Sequence, residues 1–127
     1  MAPQPPVRSH VTQGGEFGGK RNHRGLDLAA SRGTDVHASF FGRVIKAGWD
    51  ATYGNHVIVK HRASKGRRRE TLYGHLDDIT TKTGHYVNSR TVIGHAGDSG
   101  AAQGVHVHFG TYFDGVPVDP TTWIGAQ

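Results

Sequence analysis

The chain has 127 residues, 19 of them glycine, ten histidine and none cysteine, with a formal net charge of +5. That length builds one domain around a single modest core, and the missing cysteine excludes a disulfide framework, a thiolate zinc site and a cysteine nucleophile. No apolar run approaches the roughly 20 residues of a membrane-crossing helix, the glycines follow no Gly-X-Y period, and the charge content is that of a globular chain rather than a disordered one.

Residues 1–19 read as a flexible N-terminal arm. Pro3, Pro5 and Pro6 cannot join a strand ladder or a helix interior, and Gly14, Gly15, Gly18 and Gly19 follow them. Residues 20–127 read as the folded domain. From Asp35 onward, short apolar-alternating runs punctuated by glycine predict strands over Asp35–Ala38, Gly42–Gly48, His56–His61, Glu70–His75, Val92–Ala96 and Val105–Phe113. The basic run 62–69 falls between two of these and predicts an exposed hairpin loop. Asp114-Gly115 signals a hairpin turn, and Pro120–Ile124 a short terminal helical turn with proline at a tolerated first position. The fold class is mainly β, an antiparallel sheet domain with little helix.

Ten histidines are many for this length. Histidine is the commonest metal ligand and the side chain best suited to proton transfer near neutrality. Three segments concentrate that chemistry: His23-Arg24-Gly25-Leu26-Asp27, Tyr73-Gly74-His75-Leu76 and Val105-His106-Val107-His108-Phe109. On a strand, His106 and His108 point to one face and Val105, Val107 and Phe109 to the other. Two imidazoles side by side suit a metal site with its acid–base partner, and the spacing alone leaves open which of the two binds the metal. The other histidines, at 10, 37, 56, 61, 85 and 95, are expected to have no direct role, with His61 and His95 placed to make hydrogen bonds.

In order and in the text between them, these segments resemble the lysostaphin-type (LytM-like) zinc endopeptidases that cut peptidoglycan. The resemblance runs from about Asn22 to Ile124 and includes Gly42-Arg43-Val44, Tyr53-Gly54-Asn55-His56-Val57, Thr71-Leu72-Tyr73-Gly74-His75-Leu76 and Gly104-Val105-His106-Val107-His108-Phe109. It implies that His23, Asp27 and His108 hold Zn2+, and that His75 and His106 are unliganded histidines acting on the attacking water and the developing oxyanion. It also implies a long substrate groove over one face of the sheet, walled by loops near Tyr53 and Gly97–Gly104. Two departures from the family pattern are visible. Asp98 stands in the turn Gly97-Asp98-Ser99-Gly100, and the run 62–69 is unusually basic.

The function expected is therefore hydrolysis of peptide bonds in bacterial peptidoglycan. The expected partners are a wall peptide and, through the basic run, anionic wall polymers. A monomer is expected, with no specific nucleic acid partner and no membrane insertion. The alternative is a catalytically inactive member of the same fold that binds the wall or regulates another hydrolase. The start of the chain lacks a basic-then-apolar leader, which fits a phage lysin or a trimmed piece of a secreted enzyme. Either would act in the periplasm, in the wall or outside the cell.

Overall fold

The computed structural model describes residues 2–125. Among them nine strands form in chain order: β1 (Leu26–Ala29), β2 (Asp35–His37), β3 (Gly42–Asp50), β4 (Gly54–Ser64), β5 (Arg67–Ile79), β6 (Tyr86–Val87), β7 (Val92–Ala96), β8 (His106–Phe113) and β9 (Val116–Val118). One short helix, α1 (Pro120–Gly125), follows, and a single 3-10 turn over Gly19–Arg21 precedes β1. Every strand pairing is antiparallel, as expected.

The sheet runs β1-β8-β5-β4-β3-β6, with β9 added to β8 and β2 to β7. β5 is its axis. β4 follows one edge of β5. The other edge pairs with β8 from Arg69 to Gly74 and with β7 from Leu76 to Ile79. Between those partners His75 adopts a left-handed backbone, φ 63°. Tyr73 pairs with Phe109 and Gly74 with His108, so alternation places these two pairs on opposite faces. The Tyr73 face carries the core, where Val44, Val57, Val59, Val107 and Phe109 are buried and Trp123 of α1 closes the side. The His108 face is left for chemistry.

Three short strands, β1, β6 and β9, were not anticipated from the sequence pattern. The basic run is not a loop. β4 and β5 extend through it to a two-residue tip, Lys65-Gly66, where both residues have positive φ. The ladder reaches that far because Arg69 folds back, its guanidinium donating to the Arg62 carbonyl at 2.6 and 2.9 Å while lying 5.2 Å from the Trp123 ring.

The expectation of a loose arm is also corrected. Val7 belongs to the core, and Pro3 and Pro6 are buried. The segment completes free strand edges with its backbone groups: His37 N–H donates to the Pro6 carbonyl, Ala29 N–H to the His10 carbonyl, and Thr12 N–H to the Asp27 carbonyl, each at 2.9 Å. Proline lacks a donor but keeps its carbonyl, so a proline-rich segment can cover an edge by accepting.

Candidate metal centre and active site

β1 and β8 bring the two motif segments together. Asp27 lies directly across from His108, and Ala29 across from His106, so Asp27 and both histidines share a face. Leu26 and Leu28, on either side of Asp27, are buried on the core face and fix its orientation. Gly25 is required for close approach: a Cβ there would collide with the Phe109 carbonyl and stand 3.0 Å from the His108 ring.

Three ring nitrogens converge on one carboxylate oxygen. His23 Nε2 and His108 Nδ1 each lie 3.2 Å from Asp27 Oδ1, and His106 Nε2 lies 3.4 Å from it. One donor atom from each of His23, Asp27 and His108 falls within 4.8 Å of the others, the spacing of a metal site. His23 Nδ1 donates to the Glu16 carbonyl at 3.1 Å, so Nε2 of the neutral ring carries a lone pair aimed at a carboxylate oxygen. Two acceptors facing each other at that distance repel unless a cation lies between them. Two imidazoles and a carboxylate form a donor set that suits zinc and leaves a fourth position open. His108 Nε2 is buried without a partner, so the ring offers its Nδ1 side to the cluster and only ring edge to the protein behind it.

His75 and His106 stand beside this group with ring centroids 4.7 Å apart. Each ties Nδ1–H to a backbone carbonyl, His75 to Ser99 at 2.8 Å and His106 to Gly104 at 3.0 Å. Both therefore present Nε2 to the site. The left-handed backbone at His75, costing roughly 1–2 kcal/mol, is held by its N–H donating to the Tyr53 carbonyl at 2.6 Å. Ser99 fastens the same corner, its hydroxyl donating to the Leu76 carbonyl at 2.6 Å and accepting from Asn55 N–H at 3.0 Å. Gly54, at φ 61°, has no space for a Cβ against Ser99.

The environment sets the charge of each group. Burial pushes the Asp27 carboxyl up, but hydrogen bonds from His106 and His108 and the charges of His106 and His23 outweigh it and hold the group far below the usual carboxylate range. Burial lowers both His75 and His108, which favours neutral, lone-pair-bearing rings. The hydrogen bond to Asp27 raises His106.

The cluster floors a cavity of about 820 Å³ lined by Arg21–Arg24, by Thr52 and Tyr53 and by Ala101–Gly104, the last two segments being joined by the Ala101 N–H donating to the Thr52 carbonyl at 3.1 Å. These are the two loops expected to flank the groove. A larger cavity of about 1190 Å³ runs beneath the N-terminal segment, but the metal-type cluster lies in the smaller one. Asp98 stays out of the site, pairing with Arg32 at 2.8 Å. The groups that sequence reading missed are Gly25, which admits the His108 ring, Arg21, 3.5 Å from Asp27 Oδ2, and the Ser99 carbonyl that orients His75. The close packing of Gly25 into the first motif was a visible signal for the glycine; a backbone carbonyl leaves none.

The model of peptidase family M23 matches residues 21–120. The chain belongs to that family. It is 37% identical over 102 residues to the DD-carboxypeptidase/endopeptidase Mpg of Neisseria meningitidis serogroup B, covering 80% of this chain and 23% of that protein. It is 32% identical over 122 residues to the murein hydrolase activator EnvC of Escherichia coli K12, covering 94% of this chain and 28% of that protein. The chain thus spans about a quarter of the length of these curated relatives. A crystal structure of a zinc-containing peptidase from Vibrio cholerae superposes with a TM-score of 0.79 at 27% identity, over 93% of this chain and 39% of that one. M23 peptidases are generally zinc metallo-endopeptidases that act on peptidoglycan, in the periplasm or outside the cell. No helix among the described residues is long and apolar enough to cross a membrane.

Proposed function

We propose that this M23 domain is a zinc-dependent endopeptidase that hydrolyses peptide bonds in peptidoglycan, with His23, Asp27 and His108 as the metal ligands and His75 and His106 as the catalytic pair. The observation that carries the reading is the convergence of three donor atoms in a groove, flanked by two histidines that each tie Nδ1–H to a backbone carbonyl and turn Nε2 toward the site. When bound there, zinc supplies Lewis acidity, the chemistry that activates water and polarises an amide carbonyl.

The chain's own residues do the rest. The Nδ1–H bonds to Ser99 and Gly104 fix both rings, so that proton movement happens at Nε2. In one ring the Nε2 lone pair takes a proton from the attacking water and returns it to the leaving amine. In the other, Nε2–H donates to the developing oxyanion. A ring that donates from Nε2 while Nδ1–H stays bonded is an imidazolium, so the pair works with one ring neutral and one protonated. The groove over the sheet face suits an extended peptide. The basic β4–β5 tip adds long-range attraction for anionic wall polymers, and the protein acts as a monomer in the periplasm, in the wall or outside the cell.

The match to an activator of murein hydrolases favours a second reading, in which the domain is inactive and regulates another enzyme. That role does not call for a metal-ligand set, and all three ligand candidates and both flanking histidines are present here. Zinc analysis of the purified protein with digestion of isolated walls separates the two. The proposal expects about one zinc per chain and solubilised walls, with loss on chelation and recovery on adding zinc. Metal-free protein that is fully active, or zinc-loaded protein that releases no wall peptide, contradicts it.

A further inference from the structure

The charge of the groove wall carries information about the substrate. Among the described residues that line the 820 Å³ cavity, Asp27 is the only carboxylate, and it is buried within the histidine cluster. Two arginines line the same cavity. Arg21 reaches inward, Nη1 donating to the Gly14 carbonyl and lying 3.5 Å from Asp27 Oδ2, yet 58% of its side chain remains exposed. Arg24 is exposed on that wall, next to His23 in sequence. Asp50, which precedes the Thr52–Tyr53 segment, does not line the cavity, its Oδ1 accepting from the Thr52 and Tyr53 N–H groups at 2.9 and 2.6 Å.

Resting on the peptidase reading above, we infer that Arg21 and Arg24 are specificity-determining residues that bind a free carboxylate flanking the scissile amide, so that the preferred bond is a diamino-acid cross-link carrying such a carboxylate and not a neutral glycine bridge. The geometry supports this directly. Asp27 turns Oδ1 to the histidines and Oδ2 to Arg21. Arg21 therefore stands one carboxylate width from the reacting centre. An extended peptide advances roughly 3.3 Å per residue, which puts a carboxylate on the residue beside the scissile bond within reach of its free N–H groups. A guanidinium presents five donors in a planar fork, so Arg21 can keep its inward contacts and still grip a second carboxylate. A neutral peptide would cover the same two guanidinium groups and strip their water without replacing it, a desolvation loss that a carboxylate avoids.

The test uses the zinc-loaded 127-residue chain and two peptides with an N-methylated scissile amide. They are identical except that the residue beside that amide bears a free α-carboxyl in one and its carboxamide in the other. Calorimetric titration should show the free acid binding about tenfold or more tighter, with the gap shrinking as salt rises. Arg21→Gln and Arg24→Gln should each weaken the acid by about fivefold more than they weaken the carboxamide, the scale of an exposed ion pair. Arg21→Lys should recover part of the loss, and thermal melts of all variants check folding. Equal affinity for the two peptides, equal weakening of both by the substitutions, or no binding of either at millimolar concentration overturns the inference. Hydrolysis of the unmethylated pair separates it from the peptidase reading. Cleavage without preference sinks the specificity alone, whereas preferential binding without cleavage sinks the peptidase reading alone.

Discussion

His61 and His108 are buried on opposite faces of one sheet, and their surroundings differ in a way that separates structure from chemistry. His61 Nδ1–H donates to the Phe41 carbonyl at 2.8 Å, so its Nε2 must accept from the Thr71 hydroxyl, also at 2.8 Å. Thr71 then accepts from Tyr73 at 2.7 Å, and the Tyr73 oxygen accepts the Ser39 N–H at 2.7 Å. Every polar atom along this chain has a partner and only one proton arrangement satisfies it. Around Asp27 the reverse holds: the His23 Nε2 lone pair faces a carboxylate oxygen and His108 Nε2 has no partner. A closed buried network holds the fold rigid, while an open one marks the place where a ligand completes the bonding.

The comparison breaks most visibly at His75. His75→Ala should cut the rate of peptide hydrolysis by at least about 10²-fold while zinc content and melting temperature stay near wild type, as steady-state kinetics with metal analysis would show. A rate within a few fold of wild type would place His75 with the structural histidines.

The closed network should respond to acid. Burial lowers the His61 pKa to about 4, whereas an unfolded histidine titrates near 6.5. Between those values the unfolded chain binds the extra proton, so stability falls as the pH drops through this window, by about 3 kcal/mol in all. Denaturant melts across that range should show the slope in wild type and a shallower one in His61→Gln, with kcat at neutral pH retained. Identical slopes would remove His61 from the account.

Smaller effects test the arm and the tip. Val7→Ala should cost about 1–3 kcal/mol because it empties a core position, and a stability unchanged within error would restore the loose-arm reading. Arg68 Nε lies 3.9 Å from Asp114 Oδ1, and the Arg69 guanidinium is held by the Arg62 carbonyl and the Trp123 ring, so Arg62, Lys65 and Arg67 are the cations of the tip with the fewest such contacts and the ones best placed to meet an anionic polymer. Neutralising these three should weaken binding to whole walls at low salt and leave cleavage of a small peptide unchanged, since such attraction is screened over roughly 8–10 Å. Equal losses on both substrates would argue against capture.

The open cluster was far more legible in the sequence than the closed one. His23, Asp27, His75, His106 and His108 are side chains at recognisable spacings, and the strands that carry four of them contain apolar alternation. β1, Leu26-Asp27-Leu28-Ala29, is only four residues long, too short for its alternation to stand out from the surrounding turn residues. Yet the two leucines facing the core are what fix Asp27. β6 and β9 are two and three residues long, too short for a period to register. The His61 network joins residues from three separate segments, and the Ser99 carbonyl acts through backbone, so neither leaves a local pattern. The arm hid behind its prolines, whose burial depends on tertiary partners at Ala29, His37 and Ser39.

The central claim is that His108, and not its neighbour His106, completes a three-residue metal site with His23 and Asp27. Zinc content of purified His106→Ala and His108→Ala, measured by elemental analysis after dialysis at neutral pH, tests it most directly. The account predicts close to one zinc per chain in His106→Ala and little in His108→Ala, with both inactive. Zinc retained by His108→Ala and lost from His106→Ala would contradict it.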